Sequence, residues 1–407
     1  MSSSRPAEVS RRAVLSAALG LTAGAGLTAC TGAHPEAAAQ PAAAVTPAEI
    51  EPFHGPHQAG IVTPAQAYQF FAAFDVLGAG AGTLRGLLDD WTPAAAALAA
   101  GRPPAGLADS GEAAGASPAR TTITIGYGPS LFDGRFGLAS RRPPALAELP
   151  RFDTDNLRPE LCGGDLAVQV CADDAQVAFH AYRQLLRIAR ERVRLRWSQS
   201  GFRGPQLGTA AKPLTRNLFG FHDGVRNPSL TDDATLDKAI WVQPADGPAW
   251  LAGGSYLVTR RILLFTDGWD DVPDDEQQRI IGRNKATGAP LSGGTIDSPL
   301  DLAATGPDGS PALPLDSHAR LASAELNAGA QLLRRSYAFT EPGAGGVQAG
   351  QLFCCFQRDP RTGFVPIQRR LSASDALNTH TQHVGSAVFA MPPGVAEGSS
   401  WSAALFG

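Results

Sequence analysis

A histidine, an aspartate and an arginine pair stand where their side chains could do chemistry. His318 lies in Asp316-Ser-His-Ala-Arg320, after a long loop, where a single imidazole can project into a cavity. The Nε2 of such an imidazole is the usual axial ligand of haem iron. Asp223 lies in Gly220-Phe-His-Asp-Gly224, whose glycines let the backbone turn sharply and approach a flat ligand closely. Leu218, Phe219 and Phe221 set an apolar wall beside it. A carboxylate desolvated there can act as general acid or base. The same residues also suit an ordinary Asp-Gly turn after a strand. Arg334 and Arg335 enter the apolar run Leu332-Leu-Arg-Arg-Ser-Tyr337, where unpaired burial is costly. Either they sit on a solvated edge at a strand mouth, or one of them faces a buried anion. Most of the other histidines read as solvated or core residues.

These side chains have to be positioned by a chain that alternates strand-like and helix-like segments. Residues 68–76 and 121–125 read as strands, with a helix over 79–100 between them carrying Leu84, Leu87, Leu88 and Trp91 at helical spacing. Residues 166–170 alternate as a strand, and Asp173-Asp174 caps a long helix expected to run to about Trp197. Residues 214–221 give a further short apolar run. The order is β-α-β-β-α-β, an α+β ferredoxin-like unit. A looser copy follows: strands over 256–265, 336–340, 351–357 and 387–390, with helices over 274–283 and 372–379. The coarse expectation is two antiparallel sheets with helices on their outer faces. The stretches 101–120 and 285–316 are long loops of the kind that are often functional.

The chain has 407 residues, 43% of them hydrophobic and 18% charged, with 45 Gly and 32 Pro. That supports a large core and excludes a disordered chain. A net charge of −4 offers no basic field for nucleic acid. Ser10-Arg11-Arg12 precedes a mildly apolar run, residues 13–29, too short and weakly apolar for a spanning helix. This reads as a twin-arginine export signal over residues 1–30, followed by a flexible tether over 31–50. Leu27-Thr-Ala-Cys30 is similar to a lipobox, which would make Cys30 the lipidated first residue; plain cleavage near residues 37–39 with free secretion is the alternative. The expected location is the cell envelope, the periplasm or the extracellular side. None of the remaining cysteines, 162, 171, 354 and 355, forms a Cys-x-x-Cys pair, so a zinc site is not expected. A Cys162–Cys171 disulfide is compatible with export.

The three chemical features together resemble the dye-decolourising peroxidases, most closely the twin-arginine-exported branch of deferrochelatase/peroxidases. Gly220-Phe-His-Asp-Gly224 is similar to that family's signature. Further similar stretches are residues 53–61, 126–132, 163–165, 281–283 with 287–291, 356–360 and 383–386. The resemblance implies two ferredoxin-like halves, at 51–226 and 227–407, in a dimeric α/β-barrel-like superfamily, with one haem b per chain in the second half. It implies His318 as proximal iron ligand, Asp223 as distal aspartate and Arg334 as distal arginine, with Arg335 the alternative if the register is one off. It further implies haem contacts at Gly224, Val225, Arg226 and Arg334, and Asp375 as the carboxylate that orients the imidazole. The branch it resembles often follows the proximal Arg-Leu-Ala with Asn-Pro-Arg, where this chain has Ser323-Ala324-Glu325. The implied activity is reduction of hydrogen peroxide with oxidation of dyes, phenolics or other one-electron donors. Tyr337, Trp241, Trp250 and Trp269 are candidate surface relays for those electrons. The alternative is a haem-handling, iron-acquisition protein that releases iron from haem and works with iron-uptake components. A homo-oligomer, with a lipid anchor if Cys30 is modified, completes the expectation.

Overall fold

The computed structural model describes residues 49–343 and 345–407. The expected export signal, Cys30 and nearly all of the expected tether lie outside the described residues. Among the described residues no helix is long and apolar enough to cross a membrane.

The N-terminal half begins with strand β1 (Tyr68–Val76) and helix α1 (Ala81–Ala99). Strands β2 (Thr122–Tyr127) and β3 (Leu166–Ala172) follow, then helix α2 (Ala175–Ile188) and strand β4 (Val193–Phe202). Helix α1 buries Leu84, Leu87, Leu88, Trp91, Ala95 and Leu98, the one-face stripe that helical spacing dictates. Asp174 caps α2 by accepting from the N–H groups of Gln176 and Val177. The helix ends at Ile188, nine residues short of the sequence expectation. Glu191 takes a positive φ of 70°, and the chain reverses into β4. The run Val193-Arg-Leu-Arg-Trp197 fits helical spacing and strand alternation equally well. Pairing with β1 decides for the strand, with Arg194 and Arg196 both bridging to Asp75.

A small hairpin, β5 (Thr215–Arg216) and β6 (His222–Asp223), links the halves and leads to helix α3 (Asp233–Ala239). The second half contains β7 (Ser255–Leu264), α4 (Thr266–Asp270), α5 (Asp274–Ile281) and the one-turn helix α6 (His318–Leu321). It continues with β8 (Leu333–Arg334), β9 (Tyr337–Gly343), β10 (Gly346–Gln357), α7 (Phe364–Ser374), β11 (Thr381–Met391) and α8 (Trp401–Phe406). The β-α-β-β-α-β order recurs, but the two sheets are not separate. The strand order is β7-β11-β2-β3-β1-β4-β9-β10-β8, and β7 also pairs with β10, so eight strands close into a ring. The joints between halves are short, Phe202 opposite Ala338 and Ala390 opposite Tyr127. Closure satisfies edge strands that two open sheets would leave bare.

Alternate residues pack inside the ring, where Phe71, Trp197, Leu257, Leu352, Phe356 and Phe389 form one cluster. The outer faces of the two halves differ. In the first, apolar side chains meet α1 and α2 directly. In the second, β7, β10 and β11 present Arg260, Ile262, Leu264, Gln351, Phe353, Thr381 and His383 to a cavity that separates them from α6 and α7. A face carrying that many polar groups cannot be closed by a greasy helix, and the gap becomes the site.

Cys162 and Cys171 are free thiols. Cys162 precedes β3 and sits opposite Ser386, while Cys171 lies five residues into the strand. At about 3.3 Å per residue the strand carries Cys171 about 16 Å beyond Leu166, while the segment with Cys162 is held at the Leu166 end by Trp197 and Ser386, so the two lie beyond the reach of about 7 Å between Cα atoms that a disulfide allows. The four proposed relays are core residues. Tyr337, Trp241, Trp250 and Trp269 are 1%, 4%, 7% and 2% exposed, because each fills a hydrophobic cluster or lies behind one.

Candidate active site

The cavity has a volume of about 450 Å³, within the usual range for small-molecule and cofactor sites. His318 reaches it from α6. The preceding loop is pinned on both sides: Ala376 N–H donates to the Asp316 carbonyl at 3.0 Å, and Ser317 Oγ donates to the Pro314 carbonyl at 2.8 Å. His318 Nδ1 lies 2.6 Å from Asp375 Oδ2, just past the C-terminus of α7. A carboxylate oxygen accepts, so Nδ1 carries the hydrogen and Nε2 is left free for a ligand. Asp375 is itself buried, and its other oxygen accepts from Leu377 N–H at 2.9 Å. Burial presses the His318 pKa down, and the charge and hydrogen bond of Asp375 outweigh it, so the net displacement is upward. The ring is about a third accessible because it lines the cavity, although it lies deep in the protein.

Asp223 and Arg334 line the same cavity from β6 and β8. The hairpin that carries Asp223 is tightly made. Asn217 Oδ1 accepts from the N–H groups of Phe219 and Phe221, and Phe219, Phe221, Trp269, Ile280 and Ile281 form one cluster behind it. Asp223 Oδ1 accepts from Gly224 N–H at 2.7 Å. Gly224 has φ +86°, and a Cβ there would sit 2.9 Å from the Pro213 carbonyl oxygen, so only glycine fits. Gly224 therefore lies behind the cavity wall and turns the chain, while Val225 and Arg226 line the cavity itself. Both Asp223 and Arg334 are close enough to act electrostatically on His318.

The two arginines of the pair part company. Successive strand residues face opposite sides. Arg334 opens to the cavity, while Arg335 is 2% exposed and donates to the Thr63 carbonyl at 2.8 Å and to the Gln66 side chain. A second cavity of about 80 Å³ touches Asp223, Ser336 and Gln351, which the larger one also touches.

Two family models match the chain, "Dyp-type peroxidase, N-terminal" over residues 58–203 and "Dyp-type peroxidase, C-terminal" over residues 214–396. The chain belongs to the Dyp-type peroxidase family. It is a haem peroxidase, acting on hydrogen peroxide and an electron donor. A dye-decolorizing peroxidase from Thermobifida fusca is 39% identical over 348 residues, covering 82% of this chain and 80% of that protein. A deferrochelatase from Escherichia coli K12 is 36% identical over 367 residues, covering 87% of this chain and 86% of that one. The crystal structure of a DyP-type peroxidase from Streptomyces coelicolor superposes with a TM-score of 0.83 at 43% identity, over 88% of this chain and 98% of that one.

The residues around the cavity fit a haem. Arg283, absent from the sequence-derived candidates, is buried in the wall with Nη1 donating to the Gly288 carbonyl and Nη2 without a partner among the described residues. Burial and the neighbouring charges of Arg226 and Arg334 push its pKa down to about 10. Three arginines converging on one wall, one of them with an orphaned donor, call for an anion such as a porphyrin carboxylate. Ile262, Phe353, Leu371 and Val225 supply apolar surface for a flat macrocycle.

Two further groups escaped the sequence. Asn227 is bonded to Arg334, and its only signal was its place directly after Gly224-Val-Arg226. His383 lines the cavity beside a buried pair, Arg260 with Asp155. Arg260 Nε donates to His383 Nδ1 at 3.2 Å. Burial, reinforced by the charges of Arg260 and His318, pushes the His383 pKa down to about 3, so the ring is neutral. Ser323 and Ala324 line the cavity, and Glu325 pairs with Arg226 at 3.5 Å.

Proposed function

We propose that the chain is an exported haem b peroxidase in which His318 holds the iron, Asp223 moves the proton and Arg334 steadies negative charge. The observation that carries this reading is one cavity shared by the His318–Asp375 pair, Asp223 and Arg334. Haem, when bound, supplies the redox chemistry that splits hydrogen peroxide and stores its oxidising equivalents. His318 Nε2 would hold the iron, with Asp375 orienting the ring and strengthening it as a donor. Arg226 and Arg283 would hold the carboxylates, and Val225 would lie against the macrocycle. Asp223 takes a proton from hydrogen peroxide and returns it to the oxygen that leaves as water. Arg334 stabilises the charge that deprotonation creates, an interaction made before the reaction and costing no reorganisation. The smaller cavity beside Asp223 has room for hydrogen peroxide and is far too small for an aromatic donor. Dyes and phenolics then give up their electrons at the surface, through the protein.

Stopped-flow mixing with peroxide tests the distal pair. Asp223→Ala and Arg334→Leu are each expected to slow the first step at least 100-fold, on the order of what losing one aimed group costs. No slowing in either variant contradicts the assignment.

Release of iron from haem is the second reading, favoured by the relatives named deferrochelatase. Anaerobic incubation with haem separates the two: metal-free porphyrin formed without peroxide supports iron release. The export signal at Arg11-Arg12 supports passage by the twin-arginine route to the cell envelope. There the chain acts as a homo-oligomer, beside iron-uptake components if iron release is its task. Mass spectrometry of the mature N-terminus distinguishes a lipid-anchored Cys30 from free secretion.

A further inference from the structure

Asn227 makes three hydrogen bonds to one residue 107 positions away. Its Nδ2 donates to the Arg334 carbonyl at 2.7 Å, and its Oδ1 accepts from Arg334 N–H at 3.1 Å and from Arg334 Nε at 3.2 Å. The first two bonds copy the pairing of a neighbouring strand, so the amide fixes the Arg334 backbone. The third reaches the guanidinium itself. Arginine has five N–H donors in a rigid fork. With Nε occupied, the four Nη hydrogens form the edge that remains, and among the described residues no protein hydrogen bond holds them. Asn227 N–H in turn donates to the Gly224 carbonyl at 2.9 Å, closing the turn that begins beside Asp223. Asn227 therefore ties the turn after the acid-bearing hairpin directly to the arginine itself.

We propose that Asn227 is a positioning residue for the peroxidase reaction: it aims the Nη edge of Arg334 into the cavity and sets its place relative to Asp223. This rests on the reading of Arg334 given above. Fluoride binding to the ferric holoenzyme, followed in the Soret band, reports on the arginine without turnover. Four proteins are compared, wild type, N227A, R334L and the double variant, each with haem content and melting temperature measured. N227A is expected to weaken fluoride binding about tenfold, the size of one charge-assisted hydrogen bond, and to slow the peroxide step, with haem content unchanged. In the R334L background the same substitution is expected to change fluoride affinity less than twofold, because its effect passes through the arginine. A further tenfold loss in that background would overturn the proposal, as would an N227A protein with wild-type affinity. If R334L itself binds fluoride like wild type, the distal reading fails instead. Should N227A not fold, N227D carries the same cycle. It keeps both acceptor bonds but sets a carboxylate against the guanidinium, so affinity falls more in wild type than in R334L, where only the general repulsion of the added charge remains; an equal fall in both backgrounds overturns the proposal.

Discussion

Replacing Asp375 by Asn removes one charge from beneath the imidazole while keeping the side-chain volume. The carboxylate is buried, with one oxygen 2.6 Å from His318 Nδ1 and the other capping Leu377 N–H. A hydrogen bond to a charged partner is worth about 1.5–3 kcal/mol, or roughly 10–150-fold in an equilibrium constant. Loss of groups that orient a metal ligand typically costs about 10–100-fold in affinity, which agrees. The amide oxygen can still cap Leu377, so the fold is expected to survive with a melting temperature close to wild type. The assay is transfer of haem from the ferric protein to excess apomyoglobin, read in the Soret band. The rate of haem loss is expected to rise about 10–100-fold. The reduction potential is expected to move upward, because a less basic imidazole stabilises ferric iron less. A D375N protein with unchanged haem loss and unchanged potential refutes the role assigned to this carboxylate.

Gly224→Ala forces a side chain onto a positive φ and against the Pro213 carbonyl. It is expected to cost about 1–3 kcal/mol in chemical denaturation and to slow the peroxide step, since Asp223 and Asn227 flank it. His383 keeps a pKa of about 3 when folded, against about 6.5 unfolded. Between those values the unfolded chain binds the extra proton. Stability of the haem-free protein is therefore expected to fall as pH drops from about 6.5 toward 3, by about 1.4 kcal/mol per unit from this group. H383Q is expected to flatten that slope, and an unchanged slope contradicts the assignment.

Much of the fold was legible because local patterns and tertiary packing agree. The stripe on α1, the Asp174 cap and the strands expected at 68–76 and 166–170, the second running on to Ala172, all follow from spacing and chain chemistry. The helix expected to run on to Trp197 fails where two periods fit the same residues and only pairing with β1 decides. Closure of the ring was invisible to spacing, since its joints are single residue pairs between segments 136 and 263 positions apart; only the barrel-like superfamily implied by the resemblance pointed to it. At the site, residue type singled out His318, Asp223 and the arginine pair but left an ordinary turn and a solvated edge open; the family resemblance proposed their roles, and the fold brings His318, Asp223 and Arg334, not Arg335, to one cavity. Asn227, Arg283 and His383 were not legible, because an amide, a buried arginine or a neutral histidine takes its meaning from partners distant in the chain. Asn227 and His383 show this most plainly, with partners at Arg334 and Arg260 that no local spacing predicts.

The role proposed for His318 is to hold haem in this cavity. The direct measurement is the ultraviolet–visible spectrum of the purified protein beside that of His318→Ala, with haem quantified as its pyridine complex. The wild type is expected to show a Soret band and about one haem per chain, the variant to lose most of both, and added imidazole to restore part of the band. A His318→Ala protein with full haem and an unchanged Soret band contradicts the account.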